Sequence, residues 1–525
     1  MTRAKQGSFA GQAFPFTHYR KGQREAIAAA RQAFKDGKRF VVIEAPTGSG
    51  KSAIAVTLAR EAASAYLLTA QKLLQAQYVR DFPDLALMKG RGNYPCLVAP
   101  THAAAAPCIA GRRFPQCDEC PYFVAKEVAM AARRAIMNYA YYLAELNYSG
   151  GFGPRELLVL DEAHNAEAAL MSFVEVTISD PMLARVGLSE RVPNGLEEAE
   201  YFDFAEELMP ALKERSRVLE QQFKQGTLFG EAAAAQLQSK QWLDNQLSRL
   251  MLLRHSREED DVEWVTLRRS SQDGQSLTFK PVRVASFAEP LLFSFAERTL
   301  MLSATILDPP TYLRSLGITA DQAAVIQVES DFPPENRPIM VRPAARLTRH
   351  HLEQELPKLA QHVSALFEEH PNDKGLVHAH SYKIASYLYK ALPKAQRDRV
   401  VLHWDSSGRD EALDKHVRSP YPTVLLTPSM TEGIDLYDEL SRWQVICKLP
   451  YPYLGDPQVA RRKDLDPAWY DWRTCLTVVQ AYGRSVRSRD DFAITYVLDA
   501  DFPAFVKRQQ RRLPGWFLEA ITSEA

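Results

Sequence analysis

Short apolar runs alternate with helical stretches along much of the chain, and this alternation predicts an α/β architecture with parallel sheets. The predicted strands end in polar residues, which places those residues at one edge of a sheet, where open α/β sheets bind ligands. In the first part of the chain the predicted strands are 40–43, 64–71, 157–160 and 298–306, with a helix at 53–60. These elements indicate a first α/β domain.

The same pattern returns in the second half of the chain. Predicted strands lie at 375–381, 423–427 and 444–450, and a helical segment lies at 474–479. We therefore expect a second α/β domain, which begins near residue 335.

Residues 175–285 follow a different pattern. Charged amphipathic stretches at 197–223 and 231–254 predict long helices, and the runs 262–267 and 277–282 predict a β-hairpin. The sequence shows no catalytic signature there, so we interpret the segment as a mainly helical insertion in the first domain.

A glycine-rich loop joins the first predicted strand to the first predicted helix. Its residues are Glu44, Ala45, Pro46, Thr47, Gly48, Ser49, Gly50, Lys51 and Ser52. Gly48 and Gly50 let the backbone wrap around phosphates, and the following helix directs its positive end at the same anion. Lys51 can reach the β- and γ-phosphates of ATP, and the Ser52 hydroxyl can ligate Mg²⁺. Strand, loop and helix together predict a P-loop, so we assign Ala45 through Ser52 to ATP binding.

Two carboxylates follow the third predicted strand and supply the second half of an NTPase site. Asp161 can hold Mg²⁺, directly or through water, and Glu162 can polarise the water that attacks the γ-phosphate. His164 is placed to couple the nucleotide to the neighbouring domain. Ser303 and Thr305 carry hydroxyls that can bridge this strand to a nucleic-acid site.

Gln23 lies one helix and one strand before the P-loop. Its amide offers a donor and an acceptor together, which suits the two-sided edge of adenine. A surface glutamine on an amphipathic helix is the alternative, but beside a P-loop we assign Gln23, with Arg20, to ATP binding.

Two arginines in the second domain are candidates for the other wall of the site. Arg484 and Arg487 stand one turn apart and are predicted to project from one helix face. Guanidinium groups there could act as arginine fingers on the γ-phosphate bound by the first domain. Gln480 is assigned to the catalytic set with them, and Gly433 and Asp435 are assigned to ATP binding.

Four cysteines fall within a short segment where helical periodicity vanishes. They are Cys96, Cys108, Cys117 and Cys120. Four thiolates at this spacing can hold either a zinc ion or a [4Fe–4S] cluster, and the spacing leaves both open. An alanine-rich helical pattern follows at 122–148.

The overall charge carries no basic signature. Lys plus Arg and Asp plus Glu both number 64, so any contact with nucleic acid must depend on local patches. No run approaches eighteen apolar residues, and the N-terminus lacks the apolar core of a secretory signal, so we expect no membrane span. The clustered cysteines fit a metal site in a reducing compartment, and we expect a cytoplasmic location.

These segments, in this order, resemble the XPD/DinG family of superfamily 2 helicases, and the resemblance covers nearly the whole chain. The order is Gln23, the P-loop, the four cysteines, Asp161–Asn165, Ser303–Thr305, Glu432–Asp435 and Gln480–Arg487. The four-cysteine insert, Asn165 after the Asp-Glu-Ala-His segment, and the segment 449–452 with 456–457 are similar to that branch in particular.

The resemblance implies two RecA-like parallel-sheet motor domains, with a four-cysteine cluster insert and a helical arch in the first. It implies ATP, Mg²⁺ and a [4Fe–4S] cluster rather than zinc, with single-stranded DNA and a DNA duplex or fork as partners. The expected divisions are motor domain 1 at 1–90, 136–174 and 286–335, the cluster domain at 91–135, the arch at 175–285, and motor domain 2 at 336–525.

The resemblance further implies a DNA helicase that moves 5′→3′ on single-stranded DNA and couples ATP hydrolysis to unwinding. The alternative is a nucleic-acid-stimulated ATPase that translocates or remodels without processive unwinding.

Overall fold

Two parallel sheets form the framework of the chain. The computed structural model describes residues 13–523 apart from 71, 107, 109–113, 226–229, 330–331, 349, 405–407, 429–435, 437 and 487–489. Within these residues each of the two sheets has seven strands, and every strand pairing in them is parallel. The two α/β domains predicted from the sequence are thereby confirmed.

The first sheet has the strand order β10-β1-β9-β5-β2-β4-β3. Its strands are β1 Phe40–Glu44, β2 Ala65–Thr69, β3 Ala86–Leu87, β4 Arg134–Asn138, β5 Arg155–Asp161, β9 Ala296–Ser303 and β10 Ala323–Gln327. The helices around it are α1 Gln23–Lys35, α2 Lys51–Glu61, α3 Lys72–Asp81, α4 Pro121–Ala131, α5 Tyr139–Ala144, α6 Ala166–Val174, α10 Ala285–Ala288 and α11 Pro309–Ser315. Because β9 lies between β1 and β5, its carboxyl end separates the P-loop from the two carboxylates.

The prediction of a continuous helical stretch at 122–148 is wrong. The strand β4 interrupts it, between α4 and α5. The side chains of Ala135, Ile136 and Met137 are fully buried, and β4 pairs with β2 and β3. Burial between two neighbouring strands outweighs the helix propensity of alanine in this segment.

The insertion contains two long helices on a small sheet. Its elements are β6 Val176–Ser179, α7 Asp180–Arg185, α8 Glu198–Lys224, α9 Gly230–Glu258, β7 Trp264–Ser271 and β8 Gly274–Pro281. The strands β7 and β8 form the predicted hairpin, and β6 pairs with β8, also antiparallel. Leu243 and Leu250 of α9 are buried, so the leucine stripe packs in the core.

The second sheet has the order β13-β14-β12-β15-β16-β11-β17. Its strands are β11 Ile339–Ala345, β12 Gly375–His378, β13 Val400–Leu402, β14 Val424–Thr427, β15 Trp443–Ile446, β16 Ile494–Asp499 and β17 Ile521–Ser523. Its helices are α12 Leu352–Glu369, α13 Tyr382–Ala391, α14 Lys394–Arg397, α15 Arg409–Arg418, α16 Pro457–Leu465, α17 Pro467–Tyr482, α18 Phe502–Gln509 and α19 Gly515–Leu518. None of the helices in the described part of the chain combines the length and apolar character that a bilayer crossing requires.

Candidate functional site

The predicted P-loop connects β1 to α2 and begins the helix at Lys51. Gly48 and Gly50 both have φ near 80°, in the left-handed region that glycine adopts without strain. A Cβ atom at Gly50 would lie 2.2 Å from Nε2 of Gln23, so a larger residue there would displace that amide. The Lys51 ammonium donates to the Ala45 carbonyl at 3.3 Å and therefore lies inside the loop.

Gln23 and Arg20 contact the P-loop from outside. The Gln23 side chain accepts from the Arg20 backbone N–H at 2.7 Å and donates to the Gly50 carbonyl at 3.2 Å. The Arg20 guanidinium donates to the Gly48 carbonyl. Both residues thus support the loop backbone, while the contact of Gln23 with adenine and the assignment of Arg20 to ATP binding stay predictions.

The two carboxylates lie where β5 ends. Asp161 is buried and accepts from the Tyr78 hydroxyl at 2.9 Å and from the Glu162 backbone N–H at 3.0 Å. Burial, and then the neighbouring Glu162, raise the pKa of Asp161 to about 6, although Lys51 opposes the shift. An ionised carboxylate is therefore costly here without a cation, and a divalent ion would stabilise it. Sequence reasoning missed Tyr78, whose place on α3 carries no motif.

Glu162 adopts a backbone conformation that is unusual for its residue type. Its φ is 50°, and non-glycine residues held in this region cluster at functional sites. Its carboxylate oxygen lies 3.4 Å from Nδ1 of His164. The general-base role of Glu162 stays a prediction.

Ser303 joins the P-loop to the carboxylate segment. Its hydroxyl is 2.8 Å from Nδ1 of His164 and accepts from the Thr305 backbone N–H at 3.0 Å. Its carbonyl accepts from the Ala45 backbone N–H at 2.9 Å. The structure therefore brings together three of the segments that the sequence analysis selected separately.

Glu44, the last residue of β1, is a contact that sequence reasoning missed. Its carboxylate accepts from the backbone N–H groups of Ile306 and Leu307 at 2.7 and 2.8 Å. Leu307 has a φ of 63°, so this turn is held in a strained conformation. In the sequence Glu44 is visible only as an acidic residue at the end of the strand, and no motif or spacing marks it.

The second domain reaches the same turn through α17 and α18. The Gln480 side chain donates to the Thr305 hydroxyl at 3.2 Å, and Nε1 of Trp472 donates to the Ile306 carbonyl at 2.7 Å. Arg512, just after α18, forms an ion pair with Asp308 at 2.9 Å. The segment from Ser303 to Asp308 is thus in contact with the P-loop, the carboxylate segment and the second domain.

The predicted position of Arg484 on a helix face is wrong. The helix α17 ends at Tyr482, Gly483 follows as its cap, and Arg484 lies in the next turn. Glycine is a poor helix former, and the buried hydrogen bond between Ser485 and Ser441, at 2.8 Å, draws the chain away from the helix axis. Nε of Arg484 still donates to the Gln480 carbonyl at 2.8 Å. Arg487, Gly433 and Asp435 lie outside the described residues.

The four predicted cysteine ligands line one cavity. Backbone N–H groups approach two of the sulfur atoms, from Val98 to Cys96 at 3.4 Å and from Phe114 to Cys117 at 3.5 Å. Burial raises the pKa of the Cys108 thiol, while nearby Arg91 opposes this shift. Among the described residues, no group of three or more His, Cys, Asp or Glu is arranged to hold a metal ion, so the cluster stays a prediction.

Comparison with known proteins gives matches in both halves of the chain. Residues 363–520 match the family Helicase C-terminal domain, and residues 17–189 match the family Type III restriction enzyme, res subunit. The ATP-dependent DNA helicase YoaA of Escherichia coli is 23% identical over 93% of this chain and 92% of its own length.

Two further relatives match a smaller part. A probable ATP-dependent helicase of Methanocaldococcus jannaschii is 23% identical over 46% of this chain, and the ATP-dependent DNA helicase DinG of Photobacterium profundum is 25% identical over 45%. The chain spans 40% and 37%, respectively, of the length of these two proteins.

Solved structures share the fold. A structure of an XPD helicase covers 97% of this chain and 100% of its own, with a TM-score of 0.66 at 14% identity. This likeness shows the fold, and the family matches and the helicase relatives show that the chain belongs to the XPD/DinG-type family of superfamily 2 helicases.

Proposed function

We propose that this chain is an ATP-dependent DNA helicase that moves 5′→3′ on single-stranded DNA and couples ATP hydrolysis to unwinding. One observation carries the proposal: a hydrogen-bonded path from the P-loop to Arg484. It runs from Ala45 to Ser303, from Ser303 to Thr305, from Thr305 to Gln480 and from Gln480 to Arg484. Such a path brings the second domain to the edge of the nucleotide site.

The residues of the first domain would bind and activate ATP. Lys51 and the loop N–H groups would hold the β- and γ-phosphates, and Ser52 with Asp161 would ligate Mg²⁺. The raised pKa of Asp161 supports this role, because a bound cation would replace the proton that burial favours. Glu162 would orient and polarise the attacking water.

The residues of the second domain would complete the site during hydrolysis. Arg484 and Arg487 would stabilise the charge that develops on the γ-phosphate, and Gly433 and Asp435 would contact the nucleotide. His164, Ser303 and Thr305 would transmit the state of the nucleotide, because they link the carboxylate segment to Gln480. Closure on ATP and reopening after hydrolysis would then alternate the grip on a DNA strand.

A large cavity next to this site supports single-stranded DNA as the partner. It lies where the first domain, the insertion and the second domain meet, and its lining includes Asn138, Tyr148, Asn165, Arg249 and Arg409. Arginines can bind phosphates and aromatic rings can stack on bases. Tyr122 of α4 is only 1% exposed and packs in the core, so its ring is not available to stack on a base.

We also propose that Cys96, Cys108, Cys117 and Cys120 hold a [4Fe–4S] cluster. The donor set fits, because four thiols line one cavity and backbone N–H groups approach two of the sulfurs. A tetrahedral zinc ion would bring the sulfur atoms to roughly 3.8 Å of one another, given Zn–S bonds of about 2.3 Å. The choice of a cluster over zinc rests on the resemblance to the XPD/DinG family, because four thiolates suit either group.

Replacing Cys108 with serine should remove the visible absorbance of the protein and lower its iron content, while part of the ATPase activity remains. The reason is that the cluster would lose one thiolate, whereas the nucleotide site is built from other segments. Absorbance spectra and iron and sulfide analysis of anaerobically purified protein measure this effect. Cys447→Ala, which alters a buried thiol outside the cavity, should keep the colour. A colourless wild-type protein that contains zinc would contradict the cluster.

Strand displacement tests the function itself. A duplex with a 5′ single-stranded tail should be unwound with ATP and Mg²⁺, a duplex with a 3′ tail should not, and added salt should weaken the activity. Displacement only from the duplex with the 3′ tail would show movement in the opposite direction, 3′→5′. Movement along single strands without displacement would support the alternative, an ATPase that translocates without unwinding.

A further inference from the structure

A buried acid on α6 receives two donors from the second domain. Glu167 is 6% exposed and lies two residues after Asn165, the last residue of the carboxylate segment. Nε1 of Trp469 lies 3.1 and 3.0 Å from its two oxygens, and the Arg462 guanidinium lies 3.1 Å from one of them. Because two side chains donate to its oxygens, this carboxylate is held in one position.

Arg462 connects this acid to the insertion as well. It is 2% exposed, donates to the Val282 carbonyl at 3.2 Å, and stands over the Trp469 ring at 4.9 Å. Gln458 of α16 donates to the same Val282 carbonyl at 2.9 Å. The first domain, the insertion and the second domain therefore meet at Glu167.

The contact of Trp469 with Glu167 lies at the opposite end of α17 from Gln480. Trp469 stands in the first turn of the helix, and Gln480 stands eleven residues later, about 16 Å along the axis at 1.5 Å per residue. Glu167 thus holds one end of the helix whose other end contacts Thr305 and precedes Arg484. On its own side, Glu167 follows the segment that contains Asp161 and Glu162.

We propose that Glu167 is a positioning residue that fixes the N-terminal end of α17 and so sets the place of Gln480 and Arg484 at the nucleotide site. The inference rests on the proposed ATP hydrolysis. The pair with Arg462 is suited to this task because separating two buried charges leaves each uncompensated, so the contact stays closed. The position of Arg484 is then fixed by a residue of the first domain, the domain that would bind the nucleotide.

The test compares two variants that remove the Glu167–Arg462 ion pair. One leaves a buried charge without its partner, and the other removes both charges. E167Q leaves Arg462 buried without its partner, whereas the double variant E167M/R462M replaces the pair with apolar groups of similar length, a change that buried pairs often tolerate. We expect both to lower kcat for DNA-stimulated ATP hydrolysis by about ten- to a hundredfold, as displacements on the order of 1 Å do. KM for ATP should stay within about threefold, because the residues that bind the ground state are untouched.

A third variant leaves the Glu167–Arg462 pair in place and so guards against misfolding of the first two. W469F removes the indole N–H together with part of the buried ring, so it should lower kcat by about tenfold and the melting temperature only modestly. The matched control is E145Q, which breaks the ion pair of buried Glu145 with half-buried Lys126 beside the first sheet and should retain wild-type kcat.

Two results overturn the proposal in distinguishable ways. If E167M/R462M or W469F stays folded at the assay temperature and hydrolyses ATP at the wild-type kcat, Glu167 has a structural role only, and the proposed function stands. If the wild-type chain hydrolyses no ATP in the presence of DNA, the proposed function fails and the inference fails with it.

Discussion

Replacing Arg484 with alanine is expected to lower kcat for ATP hydrolysis by about 10³–10⁵-fold, the range associated with arginine fingers. Arg484 follows α17, and its Nε is fixed to the Gln480 carbonyl at 2.8 Å, while Gln480 contacts Thr305 beside the P-loop. KM for ATP should change little, because the guanidinium acts on charge that develops only in the transition state. Steady-state ATPase assays at saturating single-stranded DNA measure both constants.

The matched control for this variant is Arg508→Ala. Arg508 is an exposed arginine of the same domain, and its guanidinium donates to the Tyr451 hydroxyl at 3.3 Å. It should retain wild-type kcat. An Arg484→Ala protein with kcat within about threefold of the wild type would remove this arginine from the site.

Replacing Lys51 with alanine is expected to reduce ATP hydrolysis by at least about 10²–10³-fold and to abolish strand displacement. The ammonium group would neutralise the β- and γ-phosphates, and no other side chain of the loop carries a positive charge. Its described hydrogen bond is to the Ala45 carbonyl at 3.3 Å, so little stability depends on it. ATPase assays, with thermal melting to verify folding, check the result.

The control for Lys51 is Lys35→Ala in the last turn of α1, at an exposed position of the same domain. It should melt and hydrolyse ATP like the wild type. Unchanged ATPase activity in Lys51→Ala would refute the assignment of the loop as the phosphate site.

The parts of the fold that the sequence predicted are those with local signals. The P-loop was found because its glycines, Lys51 and the flanking strand and helix are adjacent in the chain. The strand β4 was missed because its residues favour a helix locally, and only β2 and β3 on either side bury it. The strand conformation of β4 depends on pairing partners that are distant in sequence, since β2 lies at 65–69.

The candidate site divides in the same way. Asp161, Glu162 and Ser303 end strands in recognisable order, so their proximity followed from the parallel sheet. The contacts of Glu44 and Glu167 were missed because their partners lie 262 and 302 residues away along the chain. The turn that removed Arg484 from the helix depends on the Ser441–Ser485 hydrogen bond, which links positions 44 residues apart.

The length of the insertion helices has a mechanical consequence. The helix α8 contains 27 residues and extends about 40 Å at 1.5 Å per residue. Beside it, the β7–β8 hairpin and Val282 are in contact with α16 through Arg462 and Gln458, and through the ion pair of Lys280 with Asp456. A tilt of about 5° at the base of α8 would sweep its far end through about 3.5 Å, nearly the 3.4 Å spacing of nucleotides along one DNA strand. If the proposed function holds, a small rotation at the contact with α16 would therefore be enough to move the far end of the insertion by about one nucleotide.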